Sequence, residues 1–224
     1  GDSAMEPQRE STGGNMGLPL QATGQGRKLP KGTIGILLLP SLSVFLVVLA
    51  LLLPWWTITD DIGRVGDSYL SQSCAYAPPR IPMAVQECSA YQGPPYGDIP
   101  LVRATGFVVA ALILAIASLV FRSLSIRVRW AGMGTIGASV LSASLLVAAA
   151  LYIFAVFPGW FDSKSGGSFY RTFFGSTTVA SPSLAGTITY SWGGGAGWYL
   201  AFVSSVLLVG CADGPFQEYL RNRH

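Results

Sequence analysis

The sequence predicts an all-α membrane protein, a four-transmembrane-helix bundle carrying a small extracellular β-sheet formed by two outer loops. Three observations predict it. The charged residues leave four long gaps, cations gather at alternate ends of those gaps, and two of the three cysteines fall in one inter-gap segment. Of 224 residues, 50% are hydrophobic and only 11% charged, against about 25% charged in an ordinary soluble domain. The mean hydropathy is +0.47. A formal charge of +3 leaves no nucleic-acid footprint, and one histidine, His224, is too thin a stock for most metal or acid–base sites. No cofactor, metal or catalytic residue is expected.

No Asp, Glu, Lys or Arg occurs from Gly32 to Thr59, Ala104 to Phe121, Trp130 to Phe161, or Thr172 to Ala212. About 20 apolar residues cross the roughly 30 Å hydrocarbon layer as a helix, and each gap holds such a stretch. Helices are therefore predicted near Thr33 to Trp56, Leu101 to Phe121, Trp130 to Phe157, and Gly197 to Cys211. Pro40 inside the first removes a backbone donor, which neighbouring helices tolerate in a membrane. The first 32 residues, rich in Gly, Gln, Ser and Pro, read as a disordered cytoplasmic tail. Met5 reads as the natural start, with the first span as a signal anchor.

Lys and Arg beside a span are retained in the cytoplasm. Arg27, Lys28 and Lys31 precede the first span, Arg122, Arg127 and Arg129 fill the second link, and Arg221 and Arg223 follow the fourth span. Both termini are thus expected inside a plasma-membrane protein whose membrane domain covers 33–212, with a short tail at 213–224. The links at 57–100 and 158–196 are expected outside. Trp55, Trp56, Trp130, Trp160, Trp192 and Trp198 fall at predicted boundaries, as an interfacial aromatic belt requires. Thr57–Thr59 and Ala185–Trp192 have the β-branched and aromatic content of strands.

Cys74 and Cys88, separated by thirteen residues in the first outer loop, suit a disulfide on an oxidising side of the membrane. Closing a loop of about 15 residues is worth roughly 3 kcal/mol. Two free thiols or an intermolecular link are the alternatives. Cys211, at the inner end of the fourth span, is open to S-acylation or simply buried.

The arrangement resembles the claudin superfamily, which includes claudins, peripheral myelin proteins and AMPA-receptor auxiliary subunits. Pro54-Trp55-Trp56 is similar to the tryptophan that opens the family's first outer loop, ahead of a cysteine pair. Ile99-Pro-Leu-Val-Arg-Ala-Thr-Gly-Phe107 resembles the start of the family's second helix, where an arginine, here Arg103, marks the outer boundary. Tyr190-Ser-Trp-Gly-Gly-Gly-Ala-Gly-Trp-Tyr-Leu-Ala-Phe202 is similar to the start of the fourth helix in the auxiliary subunits. Where the family carries Gly/Asn-Leu-Trp before its first cysteine, this chain has Tyr69-Leu-Ser-Gln-Ser73. The resemblance implies a left-handed bundle under an extracellular sheet.

Function then rests on packing and association rather than chemistry, because ionisable groups inside the membrane, which usually mark a functional site, are missing from the cores of all four predicted spans, Arg103 standing at the outer end of the second. Arg103 can pair with Asp60, Asp61 or Asp98, attract an anion, or snorkel. Ala131, Thr135, Ser139 and Ala143, beside Gly134, Ala138 and Ser142, form small-residue rows that permit close helix approach, either within the chain or to a partner's helix. Gly193–Gly197 reads as a flexible joint, and Tyr76, Tyr91 and Tyr96 among prolines as contact surface. The expected role is an auxiliary or assembly subunit of a larger membrane complex. The partners implied are the bilayer, other integral membrane proteins such as a channel or receptor, and a second copy of the chain. Alternatives are junctional adhesion and a small pore in which Asp60, Asp61 and Asp67 set ion selectivity.

Overall fold

A computed structural model describes residues 31–61, 63–76, 86–91, 99–125, 128, 130–165, 170–181 and 186–221. The expected tail at 1–32 therefore lies almost wholly outside the described residues, as do Asp98 and Tyr96. Four helices and six strands follow in the order α1 (Lys31–Leu52), β1 (Trp56–Asp60), β2 (Gly63–Ser68), β3 (Gln72–Tyr76), β4 (Gln86–Ala90), α2 (Pro100–Ser125), α3 (Ala131–Ser165), β5 (Gly175–Ser181), β6 (Gly186–Gly194) and α4 (Ala196–Arg221). Among the described residues α2, α3 and α4 are long and apolar enough to cross a membrane, and α1 contributes the shorter apolar stretch Leu37–Leu52. Large apolar side chains such as Phe45, Ile113, Leu151 and Val206 are exposed on the helices, a surface suited to lipid rather than water.

The helix ends differ from the sequence expectation in instructive ways. α1 stops at Leu52, not Trp56, because the residue before Pro54 is driven out of the helical region and the following tryptophans turn into β1. α2 begins at Pro100, a first-turn position where a missing N–H costs nothing. α3 runs past Pro158 to Ser165, taking eight residues from the expected outer loop. Phe157 and Phe161, one turn apart, both pack on Trp56 with ring centroids 5.1 and 4.8 Å away, so tertiary contact outweighs the proline. α4 continues to Arg221, beyond the expected boundary near Cys211 and through most of the expected terminal tail.

Inside the bundle, close approach comes from small residues. On α2, Ala104, Ala111 and Ala115 are fully buried, and on α3 Ala131, Thr135, Ser139 and Ala143 are between 0% and 4% exposed. Ser118 and Ser139 share a 2.6 Å hydroxyl hydrogen bond, and the Ser142 hydroxyl donates to Ala111 O at 2.6 Å. Each such bond between helices is worth about 0.6 kcal/mol in lipid. Thr135 satisfies its own hydroxyl on Ala131 O.

The sheet is antiparallel throughout, in the order β4-β3-β2-β1-β6-β5. Sequence reading foresaw two of its strands, β1 and β6; they lie side by side, pairing Trp56 with Gly194 and Asp60 with Tyr190. Strand ends meet the helices. β1 leaves α1 and β6 enters α4, while the β2–β3 turn reaches α2, where Thr105 Oγ1 lies 3.2 Å from Leu70 O. All six strands therefore lead away from one end of the bundle.

Glycine backbone makes the joint. Gly195 N donates to Trp55 O at 3.0 Å and Gly197 N to Pro54 O at 2.8 Å, while Trp55 N donates to Ser68 O at 2.8 Å. A Cβ at Gly195 would overlap the Pro54 carbonyl, and one at Gly197 would sit 2.7 Å from Leu53 O and 2.8 Å from the Trp55 ring. The run expected to flex instead permits a close backbone crossing.

Gly195→Ala is thus expected to cost about 1–3 kcal/mol through overpacking, read as a lower midpoint in denaturant or thermal unfolding in lipid nanodiscs. Gly210→Ala, where a Cβ meets nothing within 4 Å, should be neutral. Equal behaviour of the two variants would remove the joint from the account.

Candidate interaction surfaces

Above the joint the sequence builds an aromatic layer, and each indole in it has a carbonyl to donate to. Trp55 Nε1 reaches Ala50 O at 2.6 Å, Trp56 Nε1 Phe173 O at 3.1 Å, Trp192 Nε1 Thr172 O at 2.9 Å and Trp198 Nε1 Ala150 O at 3.0 Å. Tyr170 sits edge-on to Trp192 at 4.9 Å, and Phe173 lies 5.2 Å from Trp198. The expected interfacial belt is corrected here: Trp55 and Trp56 are 0% exposed and Trp192 7%, whereas Trp130 is 65% exposed. These tryptophans fasten sheet to bundle rather than anchor the chain to headgroups.

Cys74 and Cys88 form a disulfide, directly opposite one another on β3 and β4 with Cα atoms 4.0 Å apart. It staples the edge strand β4, which pairs with β3 alone among the described residues. Beside it, Asp67 is buried at 2% exposure. Tyr76 donates its hydroxyl to Asp67 Oδ2 at 2.6 Å, and Arg64 Nε stands 3.0 Å from Oδ1 as an ionic contact without hydrogen-bond alignment. Burial, then the hydrogen bond to this carboxylate, pushes the Tyr76 phenol well above its usual value. Burial alone raises Tyr91, whose hydroxyl donates to Tyr69 O at 3.1 Å.

The other carboxylates considered for a pore have backbone partners. Asp60 Oδ1 accepts from Gly63 N at 2.8 Å within the β1–β2 turn, and Asp61 Oδ2 accepts from Thr189 N of β6 at 2.7 Å. Arg103 is exposed on the first turn of α2. The row Ala131, Thr135, Ser139 and Ala143 is buried within the bundle, with Ala143 at the floor of an open groove. Cys211 is a free, buried thiol, so its sulfur is not presented at the bundle surface.

A groove of about 560 Å³ opens between α3 and α4, lined by Val140, Ser144, Ala148 and Leu151 on one wall and Val206 and Val209 on the other. Sequence reading missed it. The signal was present in Ser144 and Ala148, four residues apart on α3 beside the buried row, whose Ala143 also lines the groove. Ser144 returns its hydroxyl to Val140 O and Ser205, also at the groove, to Phe202 O, so these side chains already hold hydrogen-bond partners.

No protein-family model matches the chain, and no curated protein matches it in sequence.

A phenol whose ionisation is raised by folding stabilises the fold below the unfolded value of about 10 and loses that contribution as pH climbs past it. Alkaline difference absorbance should show Tyr76 and Tyr91 ionising above pH 10, together with loss of the sheet. Tyr76→Phe leaves Asp67 buried without its donor and should cost about 1–3 kcal/mol at neutral pH. An unchanged unfolding midpoint would contradict it.

Proposed function

We propose that this chain is a non-enzymatic, claudin-like tetraspan protein of the plasma membrane, with both termini cytoplasmic, acting as an auxiliary or assembly subunit of a larger membrane complex. The α3–α4 groove carries the reading. Lipid tails supply no hydrophobic drive between helices, so association depends on close van der Waals fit, and Ser144 and Ala148 lower one wall enough for a partner's helix to seat between Val206 and Leu151. The upright sheet supports it by offering a stapled second contact surface beyond the helix ends. The cations flanking the predicted spans support the orientation, and the three sequence motifs together with four helices under a disulfide-bonded sheet support the claudin-like grouping.

Mild-detergent purification from the native membrane tests the role. A stoichiometric integral-membrane partner should co-elute with the wild type and be lost from Ala148→Trp, which fills the groove, but be retained with Ile113→Trp, on the exposed face of α2. Elution of the wild type alone as a monomer would defeat the proposal.

A further inference from the structure

Three residues stand in a row across one face of the sheet. The register sets Asp67 of β2 directly opposite Cys74 of β3, and Cys74 directly opposite Cys88 of β4. Directly opposed residues of antiparallel strands share a face, with Cβ atoms about 4.5–5.5 Å apart. Cys74 therefore has its disulfide partner on one side and a carboxylate on the other. The two ends of the bridge differ in access, because Cys74 is 4% exposed whereas Cys88, on the edge strand, is open to solvent. Asp67 is itself buried. Tyr76, two residues beyond Cys74 on the same face, donates to its Oδ2 at 2.6 Å. Arg64 Nε stands 3.0 Å from its Oδ1 on a side chain that is 51% exposed, so this cation is shared between carboxylate and water.

We propose that the Cys74–Cys88 bridge is a one-sided redox latch: an external thiolate enters at the Cys88 sulfur, and Asp67 holds the latch closed by opposing the negative charge that must appear on Cys74. Thiol–disulfide exchange is a substitution at sulfur, whose rate depends on which sulfur is reached and how well the other one leaves. Attack at Cys88 Sγ forms a bond to the reductant's sulfur and breaks the bond between the two cysteines, whose electron pair departs with Cys74. That thiolate forms where water is scarce and beside the Asp67 carboxylate, and like charges repel far more strongly there than in water. Attack at Cys74 would expel the better-solvated Cys88 thiolate, but Cys74 is covered. The sulfur that can be reached is thus coupled to the poorer leaving group. When the reductant is a dithiol, its second sulfur displaces Cys88 and the dithiol becomes a disulfide. Its two electrons and two protons end on Cys74 and Cys88 as thiols. β4, which pairs with β3 alone among the described residues, then loses its covalent tie. The inference is independent of what occupies the α3–α4 groove.

Two measurements on the full chain in lipid nanodiscs test it. In the first, excess glutathione is added, the reaction is trapped with iodoacetamide, and the cysteines are mapped by peptide mass. Glutathione should be recovered on Cys88, with Cys74 alkylated. In the second, reduction of the bridge by dithiothreitol is timed. Asp67→Asn should speed it about tenfold, and Arg64→Gln should slow it about tenfold by leaving the carboxylate's charge undiminished. A sheet merely loosened by these substitutions would be reduced faster in both variants, and that result would overturn the inference. So would unchanged rates, glutathione on Cys74, or failure to recover the Cys88 adduct. Arg64→Gln carries the test if Asp67→Asn does not fold, because loosening cannot slow reduction.

Discussion

The structure depends on the crossing of two backbones between α1 and the start of α4. A helix leaving a membrane can lead into a sheet at almost any angle, and here the angle is set because Gly195 and Gly197 come close enough for their amides to reach the Trp55 and Pro54 carbonyls. A side chain at either position would hold the segments apart. Since β1 and β6 are neighbouring interior strands of the sheet, the first following α1 and the second leading into α4, this one contact aligns both. Trp55 and Trp56 then fill the space around it with their indole donors satisfied, which a buried N–H requires.

Other parts of the fold serve that arrangement. The α2–α3 pair, joined by the Ser118–Ser139 and Ser142–Ala111 hydrogen bonds, supports the far side of the bundle. α3 extends past its proline, which brings Phe161 to Trp56 beside Phe157. The Cys74–Cys88 bond holds the strand furthest from the joint. What results is a platform presenting an apolar groove at the level of the helices and an edge strand, β5, at one side of the sheet. The two features lie on separate parts of the molecule.

Much of this was legible from residues alone. The charge-free gaps located all four helices, the cysteine spacing gave the bridge, and Thr57–Thr59 and Ala185–Trp192 gave two neighbouring interior strands, β1 and β6. Four further strands escaped because Gly63–Ser68 and Gly175–Ser181 are dominated by glycine, serine, threonine and charge, composition that also suits irregular loops; their pairing is imposed by neighbours already in place. The tryptophans misled for a related reason. A boundary position in sequence is shared by residues that face headgroups and residues buried under an ectodomain, and only the presence of β1 and β6 overhead separates Trp56 from Trp130. The four-residue spacing of Ser144 and Ala148 was as visible as that of the buried row, but spacing on a single helix does not say which face a neighbouring helix covers.

The upright, locked sheet is the claim on which the recognition surfaces stand, and a distance distribution measures it directly. Spin labels at Thr187→Cys, on the distal half of β6, and Leu141→Cys, on the exposed face of α3, should give one narrow distance peak by pulsed dipolar spectroscopy of the chain in lipid nanodiscs. A broad or bimodal distribution would show the sheet swinging on the bundle and would contradict the account.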